Sequence, residues 1–226
     1  MRSSTSKIWL ALVVLLSLVV AGYALYAYGF LPLGATVAPP MRTAFEAHRV
    51  RVLVHIFGSI LALVVGPVQL VTGGRRRTKV HRVLGYVYFG SVLVGGTSGL
   101  LTALVATGGI ASRVGFALLA IAWLLTALAA LRAVKRRDFR GHRVWAMRSF
   151  ALTFAAVTLR VYLGLFFAAG VAFDAFYPVL GWLSWVPNLM VVEWFILPRL
   201  ESNPDARLRA CGDNPQFDSG AAAVRR

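Results

Sequence analysis

Six apolar stretches, Ile8 to Tyr28, Val52 to Val71, Val83 to Ala106, Val114 to Leu131, Phe150 to Val171 and Phe176 to Leu197, follow one another with only short polar loops between them. Each approaches or exceeds the ~20 residues with which a helix crosses a hydrocarbon layer of ~30 Å. The pattern predicts an all-α fold, a transmembrane helical bundle of about six spans over residues 1–200. From Glu201 the chain is polar, carries Asn203-Pro204, Asn214-Pro215 and Ser219-Gly220, and shows no helical stripe, which predicts a disordered cytoplasmic tail over 201–226. Arg2 and Lys7 ahead of the first stretch resemble the start of a secretory signal. Its apolar run is longer than the ~7–15 residues of a signal core, so it reads as a retained first span.

Polar and small side chains fall in stripes within these spans, and lipid-facing surfaces have no use for them. The second span carries His55, Ser59, Ala62, Gly66 and Gln69 at offsets of three and four. The third repeats the spacing with His81, Gly85, Tyr88, Val92, Gly95 and Gly99, and the fifth with His142, Ala146, Ser149, Thr153, Ala156 and Arg160. Pro187 cannot donate to the carbonyl of Leu183 and predicts a bend in the sixth span, where Asn188 and Glu193 add polar groups. These stripes predict a polar-lined core of spans two, three, five and six, with the first and fourth at the periphery.

Composition reaches the same class independently, because 58% hydrophobic residues and a mean hydropathy of +0.72 leave too little polar surface to coat a water-soluble domain. A net charge of +16 raises the question of nucleic acid, but the charges cluster at the ends of apolar runs and have no fold of their own to form a groove. Anionic headgroups of the lipid bilayer are the expected partners instead. With the N-terminus in the cytoplasm, nineteen of the 24 Lys and Arg lie inside, only Arg42, Arg49, Arg51 and Arg113 outside, and Arg160 within the membrane. This bias predicts cytoplasmic termini and insertion in the bacterial cytoplasmic (inner) membrane. The single cysteine, Cys211, excludes an intramolecular disulfide and a thiolate cluster.

Arg160 is the most costly residue to place, since a guanidinium near mid-bilayer costs at least ~2.5–3.5 kcal/mol unless it is satisfied. Glu193 is the only acidic group well inside an apolar run, although at ~1.5 Å per residue Arg160 lies roughly two turns further out. Asn188, a water or a ligand is an equal candidate mediator. Both a register-fixing pair and an anion or propionate site remain open.

The tripeptide His-Arg-Val occurs three times, at His48, His81 and His142, in a chain with only four histidines. Taken singly, His81 and His142 are interfacial anchors beside basic loops. Together they offer one imidazole from each of two helices, the arrangement with which a transmembrane b-type cytochrome holds haem iron. Arg82 and Arg143 then stand beside the propionates, Gly85, Ala146 and Ser149 leave room for the macrocycle, and Tyr88 or Trp145 packs against it. His55 has only His48 on its own helix face as a companion, so a second haem is not supported.

The run from His81 to Tyr88, the run from His142 to Ser149, and Val186-Pro187-Asn188-Leu189 with Glu193-Trp194 resemble predicted bacterial multi-pass membrane proteins catalogued as domain-of-unknown-function family 2306. The resemblance spans roughly His55 to Trp194 and implies no established reaction. Three function classes follow from the residues: a haem b redox or electron-transfer protein with His81 and His142 as axial ligands, a non-enzymatic assembly or interaction protein with a membrane protein partner, and a small transporter built around Arg160, Asn188 and Glu193. No Ser-His-Asp set or metal-protease motif appears. The charge bias generates a direct test: a reporter fused after Arg226 is expected to be active only in the cytoplasm and one inserted between Gly108 and Ser112 only outside, and the reverse pattern refutes the topology.

Overall fold

A computed structural model of the protein describes residues 4–72 and 79–201. The helices are α1 (Ser4–Gly29), α2 (Pro39–Ala47), α3 (Arg49–Thr72), α4 (Lys79–Ala103), α5 (Gly109–Lys135), α6 (Phe139–Thr153), α7 (Ala155–Ala168), α8 (Phe173–Leu183), α9 (Val186–Val191) and α10 (Leu197–Glu201), with a π-helical turn at Val192–Ile196. No strand occurs among the described residues, and six stretches are long and apolar enough to cross a membrane: Lys7–Gly29, Arg49–Thr72, Lys79–Ala103, Gly109–Lys135, Phe139–Ala168 and Phe173–Arg199. The chain is thus the multi-pass helical membrane protein its hydropathy predicts. Arg75, Arg76, Arg77 and Thr78, Cys211 and nearly all of the expected tail lie outside the described residues.

The described residues divide into two compact units, one up to Leu189 and one from Met190. In the first, the chain reverses between consecutive spans, so α1, α4 and α6 start from one face, termed here the near face, and α3 and α5 from the far face. α3 and α4 form an antiparallel hairpin whose contacts run from Arg51 Nη1 donating to Leu101 O (3.2 Å), through His55 Nδ1 at 2.8 Å from Gly95 O, to Gln69 Nε2 donating to His81 O (2.9 Å). The helices approach this closely because a Cβ on Gly58 would stand 2.9 Å from the backbone of Gly95, and one on Gly99 would strike the His55 ring. Small residues replace the hydrophobic drive that lipid cannot supply.

The fourth span, expected at the periphery, is central instead. α5 packs against α4, α6 and α8, burying Gly115, Ala120, Trp123, Ala127 and Ala130. Its contact face is mostly alanine and glycine, with Ser112, Trp123 and Thr126 too few among them to make a continuous polar stripe. The first span lies on the outside of the unit as expected, touching α3 and α7 through the buried Ala21, Ala24 and Ala27.

The fifth span breaks at Phe154, and the sixth breaks at Ser184 and Trp185, just before Pro187, where the bend was expected. Broken helices free backbone carbonyls that lipid cannot satisfy. Asn188 answers both breaks at once: its Nδ2 donates to Ala151 O (3.2 Å) and Ser184 O (3.1 Å), and its Oδ1 accepts from Thr158 Oγ1 (3.1 Å). In the second unit, Leu197 N–H reaches back five residues to Val192 O. Pro198 has no N–H to offer, and the wider π turn precedes it. Replacing Asn188 by Leu leaves Ala151 O and Ser184 O without their side-chain donor and should lower unfolding stability in detergent by about 1–3 kcal/mol; an unchanged melting curve would show that the breaks are satisfied another way.

Candidate functional site

The near-face histidines are set by two hairpins. Between α5 and α6, Arg137 takes a left-handed conformation (φ 61°), which closes a turn in which Asp138 N–H bonds Ala133 O (3.0 Å). Asp138 then caps α6 by accepting from Gly141 N (2.8 Å), and Gly141 allows this because any Cβ there would collide with the Asp138 carboxylate. The hairpin brings His142, in the first turn of α6, beside the last turns of α5, with Nδ1 2.9 Å from Ala130 O. A carbonyl only accepts, so Nδ1 carries the proton, and in the neutral ring Nε2 carries the lone pair.

His81 acquires the same tautomer from a different partner. Its Nδ1 lies 3.2 Å from Thr72 Oγ1, and the single Thr72 hydroxyl proton is given to Val68 O at 2.7 Å. Thr72 Oγ1 therefore accepts from His81 Nδ1–H, and Nε2 again bears the lone pair of the neutral ring. The Gln69 bond to His81 O anchors the first turn of α4.

Seven residues further along each helix the same two faces meet. Tyr88 Oη lies 3.0 Å from Ser149 Oγ and 2.7 Å from Thr153 Oγ1, and Trp123 Nε1 donates to Thr153 Oγ1 (2.9 Å). Directions follow from proton counting. Thr153 gives its hydroxyl proton to Ser149 O (3.0 Å), so Tyr88 donates to Thr153 and Ser149 donates to Tyr88. This closed junction ties α4, α5 and α6 together ~10 Å above the imidazoles. α4 and α6 are parallel, and the equal seven-residue offsets put His81 and His142 at one level on facing sides.

The remaining residues singled out from the sequence lie in several places. Arg82 and Arg143 are exposed on the near face, and Trp145 lies beneath the Arg148 guanidinium, whose central carbon is 4.6 Å from the ring. Between the levels of His81 and Tyr88, a Cβ on Gly85 would meet only Gln69 Nε2, at 3.7 Å. His55 and Arg160 belong to the far half, where His55 Nδ1–H donates to Gly95 O and Arg160 Nη1 donates to Ala156 O (3.0 Å). Asn188 serves the helix breaks, and Glu193 lies in the π turn of the second unit. Sequence reading missed Thr72, which lacks a stripe signal at a helix end, and Trp123, a donor hidden in an apolar run.

Fold and near-face geometry thus define a helical membrane protein with one histidine in the first turn of each of two parallel helices, α4 and α6. A family model described as predicted membrane protein, domain of unknown function 2306, matches residues 52–196, and the chain belongs to that family. Comparison with curated proteins and with solved structures finds no match. Substituting Tyr88 by Phe removes the donor to Thr153 and the acceptor of Ser149 in a buried network. It should cost about 1–3 kcal/mol in detergent unfolding, and a neutral effect would mean that the junction does not hold α4 to α6.

Proposed function

We propose that the protein is a membrane-embedded electron-transfer protein holding one b-type haem at the near face, with His81 and His142 as axial ligands. The observation that carries this reading is the pair of imidazoles at one level on parallel helices, each with Nδ1–H held by an oxygen. Such a hydrogen bond is the usual outer partner of an iron-ligating histidine, fixing its tautomer and raising its basicity. Ligand count favours haem over a bare ion: among the described residues no group of three or more His, Cys, Asp or Glu converges. A bare transition metal held by two imidazoles is short of protein ligands, whereas haem iron brings four ring nitrogens and asks for two.

The chain's own residues would each have a part. Thr72 and Ala130 O orient the two rings, and Gly85, with no side chain of its own, has only Gln69 Nε2 close to where a Cβ would stand. Arg82 and Arg143, exposed at the rim, would meet propionate carboxylates. Bound haem would supply one-electron chemistry, and the surrounding apolar helices would keep water from it. The bias of Lys and Arg supports a cytoplasmic orientation for this face, in a bacterial inner membrane.

An absorption spectrum of the purified protein, oxidised and dithionite-reduced, tests the reading. A low-spin b-type spectrum is expected, lost or converted by His81→Ala and by His142→Ala with helix content intact, and unchanged by His48→Ala. Protein that carries no haem, even when haem supply is ample, overturns it in favour of a non-enzymatic assembly or interaction role.

A further inference from the structure

The far half of the first unit contains a second polar site, independent of the near-face histidines. α1, α3 and α7 meet around Ala21, Leu63 and Val157, all almost fully buried. α1 and α7 run from this contact toward the far face, and α3 runs from the far face down to it. One turn outward from Val157 on its own helix stands Arg160, and two turns outward from Ala21 stands Tyr28. Arg160 lies eight residues from the end of α7 at Ala168, ~12 Å along the axis; its Nη1 is turned back to Ala156 O, and only when released from that carbonyl can the side chain snorkel toward the far-face headgroups.

Arg160 has five N–H donors. Among the described residues it makes one hydrogen bond, from Nη1 to Ala156 O one turn back on its own helix, and no ion pair. A backbone carbonyl carries no charge, so the guanidinium remains uncompensated in a segment that crosses lipid, where such residues face partners or ligands. The groups around it are hydroxyls and a histidine: its charge acts on Tyr28, Tyr23 and His55. Tyr28 is hydrogen-bonded to Thr36 in the connection that follows α1. The His55 proton is on Nδ1, directed to Gly95 O.

We propose that Arg160, with Tyr28 beside it, binds an oxyanion in the far leaflet, namely the phosphate of a phospholipid headgroup. The planar guanidinium fork matches two phosphate oxygens, and a phenolic hydroxyl can add a neutral donor. A headgroup phosphate drawn inward by local thinning of the bilayer meets the snorkelled guanidinium from the lipid side. It also supplies the negative charge that the described chain does not place beside Arg160.

The test uses the full chain purified in neutral detergent, with native mass spectrometry and thermal unfolding read in parallel. Dioleoyl phosphatidylglycerol, dioleoylglycerol and inorganic phosphate at matched ionic strength are added separately to the wild type and to Arg160→Met. Retention of one phosphatidylglycerol by the wild type, a melting temperature raised by it and not by dioleoylglycerol, and at least a tenfold loss of retention in Arg160→Met are expected. A shift with inorganic phosphate alone that disappears in Arg160→Met keeps the oxyanion site and assigns it to a free anion, overturning the lipid source. Equal responses of wild type and Arg160→Met in every arm overturn the site. If Arg160→Met does not fold, Arg160→Lys and Tyr28→Phe take its place: each should lower retention at least threefold, and wild-type retention in both refutes the proposal.

Discussion

The near half of the molecule depends on one hydrogen-bonded junction. Ser149, Tyr88 and Thr153 pass hydroxyl protons in a single direction to Ser149 O, with Trp123 donating from α5. Inside lipid a polar atom has no water to fall back on, so a network of this kind is costly if incomplete and directional when complete. Here every hydroxyl proton has an acceptor, and the four side chains can meet only with α4, α5 and α6 in one register. That register, repeated seven residues nearer the rim, brings His81 and His142 opposite each other.

The same rule of internal satisfaction governs much of the rest of the unit, apart from the buried hydroxyls of Ser17 and Ser184, which have no hydrogen-bond partner. Two helix breaks, at Phe154 and at Ser184–Trp185, are joined through Asn188, so the irregular backbone is held by protein rather than exposed to lipid. Each histidine of α3, α4 and α6 gives its Nδ1 proton to an oxygen. Polar function therefore gathers at the two ends: imidazoles at the near rim, where a redox group is proposed, and the Arg160 guanidinium in the far half. Between them lie glycine contacts and the buried junction. The apolar groove between α3 and α4, lined by Phe57, Leu61, Val87 and Val94 among others, belongs to the lipid-facing side.

Much of this architecture was legible in the sequence. Spans of hydrocarbon length, and stripes at three-four spacing in the second, third and fifth, report burial directly, because a polar or small residue in lipid must face protein. Ala62, Gly66, Val92, Gly95, Ser149 and Thr153 are buried as the stripes require. What the spacing could not convey was the importance of α5, whose alanines look alike whether they face lipid or another helix. Partners with no stripe of their own were equally hidden: Trp123 within an apolar run, Thr72 at a helix end, and the carbonyl of Ala130, which no side chain announces. The double use of Asn188 needed the break at Phe154, for which the sequence offers no proline or glycine.

The central claim is geometric, that α4 and α6 are parallel and in register so that His81 and His142 face one another at the rim. The most direct measurement is cross-linking of a His81→Cys/His142→Cys pair in a Cys211→Ser background, in membranes, with a short bifunctional maleimide, against Arg82→Cys/Arg143→Cys as the exposed comparison. The account predicts an intramolecular link at 81/142 that forms much faster than at 82/143, and that slows when Tyr88→Phe loosens the junction. A pair at 81/142 that links no faster than 82/143 would contradict the register and, with it, the shared site.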